Sequence, residues 1–270
     1  MSSSKSEYSS QETKAPNSTL HTPPNCSLNK RIKRHLSSSV RPSTFAEFQL
    51  VLLTICTGIQ DAISFPDYHC FASNQTGNTV FLVLAVVLPE THELFITANI
   101  GVALGLFLAG GWLTGQLSHL IGARKRWWLI LTNFIQTCLV FAASAIQYGY
   151  GIQTTSTETL VVLGLLAFAA GSQVVQSRSL AMTEISTAMA TAAWVDLMID
   201  RKLFVLDNRS RTRRICFILG LVIGTFIGAG VQHTIGSAPA ILISAAGKLL
   251  VTIMYFFNSA EQEEESCCAV

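Results

Sequence analysis

Six apolar segments, each long enough to cross a lipid bilayer, constrain this chain more than any other feature of its sequence. They lie at about 45–65, 96–121, 127–148, 159–177, 215–234 and 238–257. A helix needs roughly 20 consecutive apolar residues to cross the hydrocarbon core. Only 13% of the residues are charged, against about 25% in soluble domains. The sequence therefore predicts an all-α integral membrane protein whose main partner is the lipid bilayer.

The basic residues are confined to a few clusters, and their placement predicts the topology. Apart from Lys248, they occur in the N-terminal tail, at Arg124–Arg126, at Arg178 and within 201–214. Cytoplasmic segments carry an excess of Lys and Arg, so an even number of crossings must separate consecutive clusters. Six segments then cross, both termini are cytoplasmic, and the apolar pieces 79–88 and 181–199 enter without crossing. The rule leaves the choice between plasma membrane and endomembrane open.

The two halves of the apolar region resemble each other weakly. Ser118–Gly122 matches Gln232–Gly236 about 114 residues later, and Gly58–Gln60 has a counterpart in Gly171–Gln173. Each half holds three crossing helices, so the halves have opposite orientations. The sequence predicts six transmembrane helices in two inverted three-helix repeats, each with a non-crossing half-helix, as is common in transporters. Chance similarity between glycine-rich apolar helices is the alternative.

The composition divides the chain into three regions. Residues 1–43 are polar and lack the apolar side chains needed for a core, so they are predicted to be a disordered cytoplasmic tail. Residues 44–258 form the multi-pass transmembrane domain, which Thr44-x-x-Glu47 opens in the pattern of a capping box. Residues 259–270 form an acidic cytoplasmic tail. Lipidation of this tail at either of its two cysteines remains open (Cys267 or Cys268).

The polar chemistry of the apolar region is concentrated between Gly58 and Asn78. On a helix, Thr57 and Asp61 share one face, and we include Gln60 with them in the predicted path of a solute or ion. A carboxylate in a membrane segment usually faces the bundle interior or a water-filled path. A low-dielectric site favours the protonated carboxyl, so Asp61 is predicted to carry a proton or bind a cation. The alternative is that Asp61 lies near the outer headgroups and is solvated.

The turn that follows, Asn74-Gln75-Thr76-Gly77-Asn78, is predicted to contact the substrate. Gly77 permits unusual backbone angles, and Asn78 is a good N-cap for a half-helix at 79–88. At membrane depth the free N–H groups of such a helix start form a polar binding point. The alternative is an ordinary extracellular loop that leads to a short surface helix.

Lys248 lies in the middle of the sixth segment, the only basic residue inside an apolar span. A lysine at the centre of a bilayer is costly. We expect it to act as a counter-charge to Asp61, Glu184 or Asp196, or to bind an anionic substrate. The alternative is that its long side chain reaches the interface.

No nucleotide-binding loop, metalloprotease motif or nucleophile elbow occurs in the sequence, so an enzyme is not expected, and neither are a cofactor or a metal site. The basic stretch 201–214 is explained by attraction to anionic lipid, and nucleic acid is not an expected partner. The leading hypothesis is a transporter or channel-like protein for a small polar solute or ion. The alternative is a non-transporting membrane scaffold or receptor-like protein. Association with further copies of the chain stays open.

The motif between the first two segments resembles the YoaK-like family of multi-pass membrane proteins, which is built on a domain of unknown function. The matching residues are a Gly-x-x-Asp-Ala helix end, a phenylalanine in the loop and a Thr-Gly-Asn that opens the apolar piece (Gly58, Asp61, Ala62, Phe71, Thr76, Gly77 and Asn78). The resemblance covers about 45–257, and the serine-rich tail suggests a fungal member. It implies a multi-pass protein grouped with transporters. The second half departs from the family pattern at Thr191-Ala192, where a Thr-Gly pair is expected.

Overall fold

The computed structural model describes residues 28–88, 95–182, 184–185, 187–205 and 207–260, and for 28–31 the backbone alone. Apart from two isolated β-bridges, its regular structure is helical. In chain order the helices are α1 (Leu28–Ser37), α2 (Thr44–Tyr68), α3 (Gln75–Val87), α4 (Thr97–Ile121), α5 (Arg126–Tyr150), α6 (Thr157–Ser179), α7 (Ala190–Met198), α8 (Arg209–Ile235) and α9 (Ser237–Met254), which continues into a 3-10 turn, Tyr255–Phe257.

Six of these helices are long and apolar enough to cross a membrane, namely α2, α4, α5, α6, α8 and α9 with its 3-10 turn. They coincide with the six predicted segments, which confirms an all-α multi-pass membrane protein. The predicted half-helices are α3, with 13 residues, and α7, with 9 residues. At a rise of about 1.5 Å per residue, neither can span a core of about 30 Å.

The basic clusters meet at one end of the bundle, which we call the basic end. There the N–H of Val40 donates to Arg124 O (2.9 Å) and Arg124 Nε donates to Ser179 O (3.0 Å). At the opposite end, Asn99 Nδ2 donates to Tyr68 O (2.9 Å) and to Thr154 O (3.0 Å). Successive long helices therefore run in alternate directions, as the spacing of the charges predicted.

Within each of two helix pairs, α2 with α8 and α4 with α6, the two backbones approach closely at glycine residues. A methyl group on Gly224 would lie 2.2 Å from Ile55 O, and one on Gly171 would lie 2.1 Å from Phe107 O. Helix backbones in a membrane pack tightly where small residues line the interface. Helices α5 and α9 pack against each other, α5 also contacts α6, and α9 also contacts α2.

The tail that leads into α2 is ordered from residue 28, and the predicted disorder through residue 43 is wrong for this part. Val40 is buried, and the N–H of Arg41 donates to Ser259 O (3.1 Å). The short stretch is held by backbone hydrogen bonds to two other segments, which composition alone does not reveal. The predicted disorder of 1–27, the acidic tail beyond 260 and the lipidation of Cys267 or Cys268 lie outside the described residues.

The glycine contacts predict a difference between two substitutions in α4. Gly110→Ala would place a methyl group 2.3 Å from Phe168 O, whereas a methyl group at Gly101 has no neighbour within 4 Å. We expect Gly110→Ala to lower stability by about 1–3 kcal/mol, because the contacting backbone cannot move aside cheaply. Gly101→Ala should change little. Denaturation midpoints of the purified variants in detergent check this, and equal midpoints would contradict the proposed packing.

Candidate functional site

After α2 the chain turns back into the bundle and returns to Asp61. Helix α2 continues through Pro66 to Tyr68 and ends at His69, whose φ of 56° is left-handed. Only two residues follow Pro66, so its ring interrupts no more than the last turn. The loop then reaches Asp61, where Ser73 N donates to Oδ1 (3.0 Å) and Ser73 Oγ donates to Oδ2 (2.5 Å). Asp61 lies seven residues before the end of α2, which corresponds to about 10 Å along the helix axis.

The turn at the start of α3 is held by two asparagines whose roles differ from the prediction. Asn74 is the N-cap and accepts a hydrogen bond from the N–H of Gly77 (3.3 Å), so α3 begins four residues before the predicted 79. Asn78, predicted to be the N-cap, is fully buried. Its Oδ1 accepts from Phe71 N (2.9 Å), and its Nδ2 donates to Phe71 O (2.7 Å). An asparagine side chain thus pairs with the backbone of the returning loop.

Gly77 is required for space rather than for an unusual backbone angle. It lies inside α3 and is not among the glycines with positive φ. A methyl group there would lie 3.3 Å from the ring of Phe71. That ring stacks on Phe65 with centroids 5.0 Å apart. Gly77 therefore allows the aromatic loop to lie against the helix start.

A cavity of about 510 Å³ lies between the starts of the two half-helices. Asp61 and the turn at the start of α3 line one side, and the start of α7 lines the other. The full lining is Asp61, Ser73, Asn74, Gln75, Thr76, Gly77, Phe107, Val174, Arg178, Ala188, Met189, Ala190, Thr191, Ala192 and Leu221. The structure therefore brings four predicted site residues together and leaves four others out of the lining (Thr57, Gln60, Asn78 and Lys248).

A second cavity of about 400 Å³ shares Arg178, Met189 and Ala192 with the first. It extends to Glu184 and Asp196. Arg178 is in the last turn of α6, at the basic end, and its Nη2 contacts the sulfur of Met189 (3.0 Å). The two cavities therefore form a continuous series of lining residues from Asp61 toward the basic end.

An ion-pair network lies at the basic end, and two of its acidic residues, Glu184 and Asp196, line the second cavity. Arg213 pairs with Glu47 (2.7 Å) and with Glu184 (3.4 Å), and Arg214 pairs with Asp196 (3.7 Å). The predicted capping box is wrong, because the N-cap of α2 is Ser43 and Glu47 is held by arginines of α8. Attraction to lipid was the only interaction predicted for the basic stretch 201–214. Its acidic partners could not be identified without the tertiary contacts.

Glu184 is stabilised as a carboxylate by this network. Its partial burial alone would raise its pKa. Hydrogen bonds from its own backbone and from Ser210, together with the charges of Arg213 and Arg214, outweigh that effect and hold the pKa below its ordinary value. The negative charge is therefore part of the folded state.

Among the residues that the structure describes, Lys248 has no acidic partner. Of its predicted partners, Asp61 binds Ser73, while Glu184 and Asp196 bind arginines of α8. Lys248 is fully buried, and its Nζ donates to Gln136 Oε1 (3.3 Å) and to Gln173 Oε1. The alternative prediction, that this side chain reaches the membrane interface, is therefore wrong as well.

The lysine is the centre of a buried polar cluster, which we call the amide cluster. Besides Lys248 it contains Gln136, Gln173, Gln176 and Thr57. Gln173 Nε2 donates to Thr57 Oγ1 (2.9 Å), which brings α2, α5, α6 and α9 together. Gln60 lies next to it and donates to Ser244 Oγ (2.7 Å). Sequence reasoning identified the lysine and missed the glutamines of α5 and α6, whose only signal was their position in apolar helices.

The cavity has the chemistry of a site for a small polar group. The starts of α3 and α7 present helix N-termini, whose dipole favours negative charge. Arg178 adds a positive charge and Asp61 a negative one. Among the described residues, no group of three or more His, Cys, Asp or Glu side chains is arranged to hold a metal ion. The lining therefore offers hydrogen bonds and charge.

Comparison with known proteins assigns the chain to a family. The family profile described as "protein of unknown function (DUF1275)" matches residues 49–254. The chain belongs to the DUF1275 family. This agrees with the YoaK-like resemblance in the sequence. A search of curated proteins gave no match, and neither did a search of solved structures. For this DUF1275 protein, the site must therefore be interpreted from its own geometry.

The returning loop predicts a specific dependence on Asn78. Asn78→Asp keeps the oxygen that accepts from Phe71 N and replaces the donor to Phe71 O with a second oxygen. We expect a loss of about 1–3 kcal/mol, because a buried carbonyl loses its partner. Thr79→Ala, on the exposed side of the same turn, should cost less. Hydrogen exchange across 69–74 checks this: similar protection in the two variants would contradict the role of Asn78.

The ion-pair network predicts a pH dependence. Because the folded-state pKa of Glu184 is depressed, its stabilising effect is present above the ordinary pKa and is lost as the pH falls through the folded-state pKa. Glu184→Gln should therefore lower the melting temperature near neutral pH, and this effect should shrink as the pH falls below the ordinary pKa of glutamate, about 4.3. Glu158→Gln, at the opposite end of the bundle, removes a carboxylate that accepts hydrogen bonds from its own backbone and Ser156 and, within the described part of the chain, is not stabilised by arginines, so it measures the part of the effect that does not depend on ion pairs. An effect of Glu184→Gln that did not shrink in acid would contradict the assignment.

Proposed function

We propose that this DUF1275 protein is a transporter or channel-like protein for a small polar solute or ion, and that the cavity between α3 and α7 is its binding site. The observation that carries the proposal is the cavity itself. It lies beside a carboxylate within a membrane-spanning helix and between two helix starts. Polar and charged residues inside a membrane domain usually mark a substrate or ion path. In this account the protein is not an enzyme.

We also propose that the two halves are related as an inverted repeat. The cavity lining supports this, because most of its residues form pairs about 115 residues apart (Ser73 with Ala188, Asn74 with Met189, Gln75 with Ala190, Thr76 with Thr191, Gly77 with Ala192 and, at a slightly shorter spacing, Phe107 with Leu221). The helix packing supports it too. The pair α4 and α6 corresponds to the pair α8 and α2. Transporters built this way bind substrate at the repeat interface.

The two halves would contribute unequally to binding. Asp61 corresponds to Val174, and Gly77 corresponds to Ala192, so the carboxylate comes from the first half alone. Arg178 comes from the second half. We assign Asp61 as the proton or cation site and the turn Asn74–Gly77 as a solute contact. Asn78, Thr57 and Gln60 support this site from outside the lining.

The topology completes the proposal. With the basic end in the cytoplasm, the described ends of the chain lie on that side. The cavities would then reach from Asp61 toward the cytoplasm, past Glu184 and Asp196. The ion pairs of these acids with α8 would control access from that side.

One observation favours the alternative, a non-transporting scaffold or receptor-like protein. Both oxygens of Asp61 accept hydrogen bonds from Ser73, so Asp61 also holds the loop in place. If that were its whole role, the carboxylate would be a structural element. The alternative predicts that changes at Asp61 reduce assembly rather than flux.

A pair of variants distinguishes the two functions. Asp61→Asn removes the charge, and Ser73→Ala removes the hydroxyl donor while keeping the carboxylate. Transport predicts that both variants fold, that Asp61→Asn loses solute or proton flux in reconstituted vesicles by roughly tenfold or more, and that Ser73→Ala keeps most of it. The scaffold function predicts that both lose abundance and oligomeric state together. Unchanged flux in Asp61→Asn would refute the assignment of Asp61.

A further inference from the structure

The amide cluster around Lys248 contains a buried amine that forms no ion pair within the described part of the chain. Each acidic side chain predicted as its partner is bound elsewhere. A buried ammonium that lacks a carboxylate partner is strongly unfavourable, and such groups commonly lose the charge. The side chain therefore needs an explanation other than ion pairing.

The orientation of the surrounding amides is fixed by backbone carbonyls. Gln176 Nε2 donates to Leu129 O (2.8 Å), so its oxygen faces Gln136 and accepts from Gln136 Nε2 (2.9 Å). Gln136 must then present its oxygen to Lys248. On the other side, Gln173 Nε2 donates to Leu53 O (3.3 Å), which leaves its oxygen facing Lys248 as well. Both amide oxygens therefore face Lys248 Nζ and accept hydrogen bonds from it.

The number of acceptors matches a neutral amine. Among the described residues, Lys248 Nζ has two hydrogen-bond acceptors, the oxygens of Gln136 and Gln173. An ammonium group has three N–H donors, whereas a neutral amine has two and a lone pair. A third donor at this position would face no acceptor from the protein, at the cost of an unsatisfied buried group.

We propose that Lys248 is a proton-binding site, held in this conformation as a neutral amine, and that proton uptake requires α9 to move relative to α5 and α6. The Nζ lone pair accepts a proton from hydronium, which leaves water and a charged ammonium. The new donor needs a third acceptor, which the present arrangement of Gln136 and Gln173 does not supply. Protonation is thereby linked to a different packing of these helices.

The surroundings of Lys248 leave few competing titratable groups. From α2, Cys56 faces the neighbouring Gly247, where a methyl group would lie 2.6 Å from its sulfur. From α5 and α6 the facing side chains are amides, Gln136 and Gln173. Cys56 is therefore the group that must be controlled in any test of pH dependence.

The proton site adjoins the proposed solute cavity through two helices. Thr57 of the amide cluster lies one helical turn before Asp61 on α2, and Gln173 immediately precedes Val174 on α6. A movement of α9 against this cluster would displace helices that line the cavity. The role of Lys248 in coupling proton uptake to transport rests on the proposed function. The protonation state of Lys248 does not.

Solid-state nitrogen NMR of the full-length protein in lipid bilayers, labelled with nitrogen-15 lysine, tests the protonation state without any solute. The other lysines lie outside the apolar segments and give ammonium signals. We expect one additional neutral-amine signal near neutral pH, absent from Lys248→Met. A wild-type spectrum with ammonium signals alone would overturn the proposal, whether or not the variant folds. An amine signal in a protein that shows no flux would refute the transport function and leave the proton site standing.

Two substitutions provide a second test. Lys248→Met keeps the length and lacks a charge, whereas Lys248→Arg is charged at all accessible pH values. We expect the Met variant to retain folded yield and the Arg variant to lose it. The opposite result would mean that the site needs a permanent cation, and would overturn the neutral-amine assignment.

The linkage to helix movement is tested with Thr76→Cys as a reporter in the cavity, in a background in which the seven native cysteines, Cys56 among them, are replaced by serine. The rate at which a water-soluble thiol reagent labels this cysteine is measured in the protein that retains Lys248 and in the Lys248→Met variant. The two rates are compared as the pH is lowered. We expect the ratio of the two rates to change with pH, since only the lysine can take up the proton. A constant ratio would overturn the linkage.

Discussion

Backbone that is not helical is tolerated at membrane depth only where it is buried in protein or lines a water-filled cavity, and the candidate site depends on how this chain meets that requirement. Ser73 binds both oxygens of Asp61, and Asn78 pairs with the backbone of Phe71. These contacts return the loop to the depth of Asp61 and allow α3 to begin there. Without them the turn at Asn74–Gly77 would have no fixed position beside the cavity. The same residues thus serve the fold and the proposed site.

The glycine contacts determine which parts of the bundle can move. Close backbone approach joins α2 to α8 through Gly224 and α4 to α6 through Gly171. Each pair is therefore expected to behave as one unit, with α3 packed on α4 and α7 on α8. The cavity lies between the starts of α3 and α7, so relative movement of the two units would change its access. The amide cluster lies at the other junction, where α9 meets α5 and α6, and links helix packing to the charge on Lys248.

The sequence was sufficient to predict the six spanning helices, the common basic end and the two short helices. The thickness of the bilayer and the need for an even number of crossings between basic clusters restrict the possible topologies. The sequence also predicted a site at Asp61 and the turn Asn74–Asn78, since polar residues are conspicuous in apolar segments, and in the structure Asp61 and Asn74–Gly77 line one cavity. It could not predict that Asn78 binds the backbone of Phe71, that Glu47 binds arginines of α8, or that Lys248 is surrounded by amides. Each of these interactions joins residues that are distant in sequence or depends on a loop path. The ordered stretch at Val40 was missed for the same reason.

Cross-linking of Thr76→Cys to Thr191→Cys tests the central claim most directly, namely that both half-helices begin at one shared, water-accessible cavity. The two side chains line that cavity from opposite halves of the chain. In membranes, and in a background in which the seven native cysteines are replaced by serine, a short bifunctional thiol reagent is predicted to join them. It should fail to join Thr76→Cys to Thr234→Cys, which lies at the far end of α8. If both cysteines react singly with a water-soluble reagent and no cross-link forms between Thr76→Cys and Thr191→Cys, the shared cavity and the function proposed for it are contradicted.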